Sequence, residues 1–230
     1  MAKRPLFSPC IEEGKLVDEI LLEFKWYAGV SISQKQKSIL SLHEAAFQKG
    51  YCPILEISSK SPVQIGKQLS AFNLQFETIE YGTISIEAAF QGSKVFTKGG
   101  PFTDLYSKSG WEIKKDLRLK ESGDLCGFLF LGEKWNLEPK TAFYDWLYIH
   151  ALDKQTSLAD QIIEYKGFTD IEFNPKKSIN CQARACALYV SLYQRKQLAM
   201  CLGNQREFIQ ILTKDSKYQS HSRKQESLFD

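Results

Sequence analysis

Residues 178–197 place Ile179, Ala183, Cys186, Val190 and Tyr193 at alternating spacings of four and three. That rhythm lays one apolar stripe along a helix, and the rest of the chain has to cover it. The cover is available. A chain of 230 residues, 43% hydrophobic, buries roughly 70% of the surface it exposes when unfolded. With 14 Gly and 7 Pro, the composition excludes collagen-like and low-complexity architectures and disorder over most of the length.

Other segments predict elements in alternation. LVDEILLEFKWY (16–27) reads as a strand ending near Gly29. Residues 33–49 read as a helix capped by Ser31 or Ser33, with Ile39, Leu42 and Ala46 on one face and Gly50 after the last turn. CPILEI (52–57) is a short strand, 58–70 a polar loop and 74–79 another strand. Ser85 opens a helix through about Phe96, stopped by Gly99-Gly100-Pro101. A charged helix covers 111–121, CGFLFLG (126–132) is a buried strand, and Pro139 starts the apolar helix TAFYDWLYIHAL. Ser157 caps a further short helix, and another covers 204–212. The expected fold is α+β: one compact domain, mainly helical with a small sheet. Residues 1–50 form a strand–helix extension, 51–212 the main domain and 213–230 a disordered polar tail.

Thirty Lys and Arg against 27 Asp and Glu give a formal charge of +3, too weak by itself to imply nucleic acid. Clusters matter more. Lys114, Lys115, Arg118 and Lys120 make one, and Lys176, Lys177 and Arg184 another. Either could meet phosphates, although Glu112, Asp116 and Glu121 interleave the first and suit a solvated face. The cysteines, at 10, 52, 126, 181, 186 and 201, contain no CxxC, and His43, His150 and His221 are scattered. No zinc site is expected, and the thiols read as reduced. No secretory signal or membrane span is legible. The expectation is a soluble cytoplasmic protein without a membrane partner.

The block from Ser58 to Phe96 carries the chemistry. On the expected helix Glu87, Phe90, Gln91 and Lys94 fall at i, i+3, i+4 and i+7, one face. Ala88, Ala89 and Val95 face the other way. The polar stripe lines either solvent or a pocket. Asp145 interrupts an apolar helix, so it faces water, pairs with a base such as Lys140, or lines a pocket. Asp104 and Glu172 are further carboxylates of interest. His43 and His150 read as ordinary surface and core histidines.

Ser59-Lys60-Ser61, then Leu69-Ser70-Ala71-Phe72, then the Glu87, Phe90, Gln91, Lys94 helix resemble the NADAR family of YbiA-like N-glycosidases in order and spacing. Ala71 stands where that family carries Asn. FQGSKVFTKGGPFTDLY, KKDLRLKESGDLCGFLF, WNLEPKTAFYDWLYIHAL and FTDIEFNPKKSINCQARACALYVSL resemble the branch that serves as antitoxin to a DarT-type DNA ADP-ribosyltransferase. The family's closing Asp before a WG pair is absent, and Phe168-Thr169-Asp170 takes its place. Asn180 matches an Asn at the start of the last long helix.

The resemblance implies hydrolysis of the bond joining ADP-ribose to guanine in DNA, with free ADP-ribose as product and no metal or redox cofactor. The catalytic candidates are then Glu87, Lys94 and Asp170. A carboxylate beside the anomeric carbon stabilises the positive charge that develops there and orients water. In a first helical turn capped by Ser85, the helix dipole favours the anion of Glu87 by about 0.3–1 kcal/mol. Protonation of the leaving base falls to Lys94, Asp145, Asp170 or solvent. The ligand-binding candidates are Ser59, Lys60, Ser70, Phe72, Phe90, Gln91, Trp111, Asp145 and Asn180. Lys60 and Lys94 suit a diphosphate, Ser70 a phosphate or ribose, and Phe72, Phe90 and Trp111 an adenine or ribose face, core packing being the alternative for each aromatic. Two other functions remain open: an N-glycosidase on a small ribosylamine phosphate, and a non-catalytic module that binds ADP-ribose or the toxin.

Overall fold

Ser31 caps the first helix in extended backbone, accepting a hydrogen bond from Gln34 N. That pattern of local punctuation organises much of the chain in this computed structural model, which describes residues 1–215. In chain order the elements are β1 (Ala2–Pro9), β2 (Val17–Phe24), α1 (Ile32–Phe47), β3 (Ile54–Glu56), α2 (Gln64–Gln68), β4 (Gln75–Thr78), β5 (Gly82–Ser85), α3 (Ile86–Gly92) and β6 (Lys94–Phe96). After a 3-10 turn at Thr103–Ser107 come α4 (Gly110–Lys115), α5 (Arg118–Glu121), β7 (Leu125–Phe130), β8 (Glu133–Trp135), α6 (Ala142–Lys154), α7 (Thr156–Ile162), β9 (Gly167–Thr169), α8 (Gln182–Gln194), α9 (Leu198–Gly203) and α10 (Gln205–Lys214). The fold is α+β, mainly helical.

The largest sheet runs β2-β1-β9-β3. β1 pairs antiparallel with β2 and β9, and β9 runs parallel to β3. The N-terminal strand, which sequence reasoning missed, is therefore hydrogen-bonded into the same sheet as β3. Its segment PLFSP carries prolines, which hide a strand from propensity arguments. Two small antiparallel sheets, β4-β5 and β6-β7-β8, complete the strands. Leu6, Leu22, Phe24, Ile39, Leu42, Ala46 and Ile171 pack between the first sheet and α1.

α6 and α8 form the centre. Every residue from Ala183 to Leu192 is buried, so α8 is enclosed around its whole girth rather than along one stripe. Ala183, Cys186 and Val190 lie in the core, while Ile179, before the helix, and Tyr193, near its end, are about half exposed. Between the two helices Arg184 Nη1 meets Asp145 Oδ2 at 2.7 Å, and Thr141 Oγ1 donates to the same oxygen at 2.7 Å. Asp145 thus pairs with a base, but the base is Arg184 and not Lys140. Arg184 is 6% exposed, which removes it from the expected phosphate-binding group.

Several boundaries differ from expectation. The helix opened by Ser85 ends at Gly92 instead of Phe96. A Cβ on Gly92 would stand 2.6 Å from the Tyr106 ring, and Ser93 Oγ bonds back to Ala89 O at 2.6 Å and to the Tyr106 hydroxyl at 2.9 Å. The chain then turns to pair Lys94, Val95 and Phe96 with β7. The loop 58–70 contains α2. The charged helix 111–121 is two short helices, split where Asp116 leaves helical backbone and binds Arg118 through both carboxylate oxygens. Gln155, not Ser157, occupies the N-cap position of α7, and Pro139 precedes α6 by one turn, accepting from Ala142 N. In the expected tail, Thr213 and Lys214 finish α10, and the Asp215 carboxylate accepts from Leu16 N. The remainder, 216–230, lies outside the described residues.

Removing one member of a buried ion pair is far costlier than replacing both by apolar groups. Asp145→Ala is expected to destabilise the fold by about 3 kcal/mol, whereas Asp145→Leu with Arg184→Met loses much less. Urea unfolding midpoints of the three proteins check this.

Candidate functional site

Glu87 occupies the first turn of α3. Ser85 caps that helix, its hydroxyl accepting from Ala88 N at 3.2 Å, and Glu87 N donates to Ala71 O at 2.9 Å. Ala71 N in turn donates to Gln182 Oε1 at 2.8 Å, and Gln182 Nε2 donates to Ile57 O at 2.6 Å. One side chain at the start of α8 thereby ties the loop after β3 to the loop that carries Ser70 and Phe72, and so to Glu87. Sequence reasoning missed Gln182, because a glutamine opening an apolar helix gives no local signal of two distant backbone partners.

Glu87 Oε1 accepts from Gln91 Nε2 at 3.1 Å, so the i, i+4 pair of the sequence reading is in contact. Lys94 sits on β6, yet its ammonium stands 5.1 Å above the Phe90 ring. Burial lowers the pKa of Lys94, and the nearby Glu87 carboxylate opposes that shift. Phe90 is 8% exposed and packs on Phe128, Phe143 and Tyr144. It is a core residue with one face on the site.

Phe90, Gln91, Lys94 and Asn180 line one open cleft of about 730 Å³ together with Lys140, Lys176 and Lys177. Four lysines face one glutamate, Glu138, in that lining. Asn180 Oδ1 is buried with no hydrogen-bond partner among the described residues, and so is Ser70 Oγ. Such orphaned polar atoms are rare in finished interiors.

The remaining candidates, Glu87 among them, are not in the lining of this cleft. Ser59 is exposed and Lys60 half-buried, in a loop held where Lys60 N donates to Ser58 Oγ at 3.2 Å. Phe72 and Trp111 are exposed, at 40% and 67%. Lys114 stands 5.0 Å over the Phe72 ring and Lys115 3.5 Å over Trp111. Phe72 also closes on Gly110, where a Cβ would come within 2.6 Å of its ring. The Asp104 carboxylate is bound by Arg118, and Glu172 pairs with Lys35.

Asp170 is buried beside a second carboxyl that sequence reasoning missed, Glu56. Glu56 Oε1 accepts from Ser58 Oγ at 2.7 Å and Ile171 N at 2.8 Å, and Oε2 accepts from Thr169 Oγ1 at 2.6 Å. The Thr169 hydroxyl also contacts His43 Nε2 at 2.9 Å. His43 is thus mostly buried, not a surface residue, and burial lowers its pKa to about 4. Asp170 Oδ1 accepts from Glu172 N at 2.9 Å and Phe173 N at 3.1 Å. Burial raises both carboxyl pKa values, and Glu56 adds to the rise at Asp170, to about 8. The phenol of Tyr144 is pushed well above its usual range by burial and then by Glu87, with smaller effects of Cys181, Asp170 and Asp145. Glu87 and Asp170 therefore lie within electrostatic reach of one buried hydroxyl.

A sequence profile described as DarT1-associated NADAR antitoxin matches residues 2–222. The chain belongs to that family. No curated protein matches it. The match embraces both the β1-β2 hairpin and the cleft residues. Among the described residues of this NADAR antitoxin relative, no helix is long and apolar enough to cross a membrane.

The Asp170 shift has a sign. An unfolded Asp releases its proton near 4, while the folded one keeps it to about 8. Between those values the folded state binds more protons, so stability falls as pH rises through the window. Unfolding by urea at pH 5 and pH 8.5 is expected to show that decline in the wild type and a shallower one in Asp170→Asn.

Proposed function

We propose that the protein hydrolyses the N-glycosidic bond joining ADP-ribose to guanine in DNA, and so acts as the enzymatic antitoxin of a DarT-type toxin. The observation that carries this reading is the hydrogen bond that joins Glu87 to Gln91, a residue of the wall of a lysine-rich cleft. In the reaction the bond from the anomeric carbon to the guanine nitrogen breaks. Both its electrons leave with the base, and positive charge develops on the sugar carbon and ring oxygen. The Glu87 carboxylate stabilises that charge and orients a water, whose oxygen bonds to the same carbon. The water's proton passes to the carboxylate, and the departing guanine takes one in exchange.

Two groups hold a proton suited to the base. Lys94 lines the cleft, and burial makes its ammonium a stronger acid than usual. Asp170 keeps its proton to about pH 8. Asp145 is committed to Arg184. Lys94, Lys140, Lys176 and Lys177 face the diphosphate, with Asn180 completing its hydrogen bonds on the ligand. Gln91 holds Glu87 in place.

A polynucleotide substrate, in preference to a small ribosylamine phosphate, is favoured by the exposed Phe72 and Trp111 with their lysines. Aromatic faces interleaved with cations suit bases and phosphates of a strand from which the modified guanosine has been turned out. Arg118 contributes little there, because Asp104 and Asp116 already bind it.

The test is release of ADP-ribose from an oligonucleotide bearing ADP-ribosylguanine. Wild-type protein is expected to release it, and Glu87→Gln to lose about 100-fold or more in kcat while binding ADP-ribose normally. No release by the wild type, or full activity of Glu87→Gln, contradicts the reading; cell rescue by Glu87→Gln would mark a binding module. Reversal of Lys94 to Glu should weaken ADP-ribose binding far more than reversal of Lys120. Trp111→Ala should slow release from the oligonucleotide about tenfold, the order of one lost stacking contact, and leave release from ADP-ribosylguanosine unchanged.

A further inference from the structure

Glu56 is buried beside Asp170 and is no part of the cleft lining. The parallel pairing of β3 with β9 sets Glu56 opposite Thr169, the residue before Asp170. Among the described residues no Lys or Arg charge offsets either carboxyl. The hydrogen bonds around the two differ, and the difference decides where a proton sits.

Both oxygens of Glu56 are occupied. Oε1 accepts from Ser58 Oγ at 2.7 Å and Ile171 N at 2.8 Å, and Oε2 accepts from Thr169 Oγ1 at 2.6 Å. Ser58 Oγ itself accepts from Lys60 N, so its own hydrogen is left for Glu56. On the far side of Thr169 Oγ1 stands His43 Nε2, at 2.9 Å. Burial lowers His43 to about 4, so its imidazole is neutral at pH 7. With its hydrogen on Nε2 it donates to Thr169, and Thr169 donates to Glu56. A proton on Oε2 would require the Thr169 hydroxyl and the His43 tautomer to reverse together. Asp170 is arranged otherwise. Its backbone donors, Glu172 N and Phe173 N, both go to Oδ1, and Oδ2 can carry a hydrogen without displacing either. The Gln182 amide steadies the Asp170 charge to a lesser degree.

The surrounding groups leave the pair to itself. Glu172, after β9, repels Glu56, but Lys35 of α1 meets its carboxylate at 3.0 Å. Cys181, before α8, and Tyr144 and Tyr148, on α6, all lie within reach of Asp170. Burial pushes the three above their usual ranges, so none brings a charge near neutral pH. Two carboxyls in such a space carry one negative charge between them.

We propose that Glu56 carries that charge and Asp170 the proton, and that Glu56 is a positioning residue that keeps Asp170 ready as the acid for the leaving base. The catalytic half of this assignment rests on the glycosidase reading. As the glycosidic electron pair leaves with guanine, the Asp170 hydrogen passes to the guanine nitrogen. Asp170 is then a carboxylate beside the Glu56 carboxylate, and their repulsion draws a proton back from solvent. Glu87 returns to solvent the proton it took from the attacking water, so the protons balance.

Carbon-13 spectra of the full chain, labelled at the carboxyls of Asp alone and then of Glu alone, test the assignment by pH titration. One Asp carboxyl is expected to titrate at about 8 and to be missing from Asp170→Asn. In Glu56→Gln it should move down by about one pH unit or more, because the neighbouring charge is gone. A Glu carboxyl titrating there instead, or no Asp carboxyl doing so, overturns the assignment. Thr169 and His43 can reverse to accept the new amide hydrogen of Glu56→Gln; should that variant still fail to fold, the wild-type and Asp170→Asn spectra decide. Release of ADP-ribose from the modified oligonucleotide reads the catalytic half. The alkaline limb of kcat for Glu56→Gln is expected about one pH unit below that of wild type, about tenfold in rate along the limb, with KM within twofold. A limb that stays in place overturns the catalytic role of Glu56. A wild type that releases no ADP-ribose, yet shows the Asp carboxyl at about 8, would leave the proton assignment standing and the glycosidase reading refuted.

Discussion

The buried carboxyls of Glu56 and Asp170 set the framework on which the site is hung. Glu56 binds Ser58 at the root of the Ser59–Lys60 loop, and Ile171 and Thr169 at the end of β9. Asp170 binds the backbone of the segment running on from it. Two carboxyls sharing a dry space cannot both ionise cheaply, so at least one proton stays with the pair. The strand pairing of β3 with β9 brings them together, and Gln182 extends the connection to Ala71 and Glu87. A substitution that disturbs this pair would shift three loops at once.

Charge in the molecule is divided by depth. Carboxyls and one guanidinium occupy the interior, each bound to specific partners, as Asp145 is to Arg184. Lysines occupy the cleft and the exposed surface, where several lie close to aromatic faces. A modest net charge of +3 hides that arrangement. The proposed diphosphate contact rests on the local excess of lysine over acid in the cleft, and the proposed strand contact on the exposed Phe72 and Trp111.

Much of the scaffold was legible because local rules agreed with tertiary packing. Ser31 and Ser85 cap the helices they were expected to cap, the strands expected at 16–27, 52–57 and 74–79 form within those limits, and the one expected at 126–132 runs from Leu125 to Phe130. The Glu87–Gln91 contact followed from helical spacing alone. Failures came where distant packing decided. Tyr106 presses on Gly92 and ends α3 early, which no window around Gly92 announces. Glu56 sits in an apolar strand, and two of its three partners, Thr169 and Ile171, lie more than 100 residues away. Arg184 looked like surface charge until α6 supplied Asp145. The cysteines divide similarly: Cys10, Cys181, Cys186 and Cys201 are buried as small core residues, while Cys52 and Cys126 are exposed.

A crystal structure of the protein with ADP-ribose bound measures the central claim most directly, through the distance from the Glu87 carboxylate to the anomeric carbon. The account predicts an oxygen of Glu87 at about 3–3.5 Å from that carbon, with the diphosphate against the lysines of the cleft. A ligand whose sugar lies away from α3, with Glu87 turned to solvent, would contradict it.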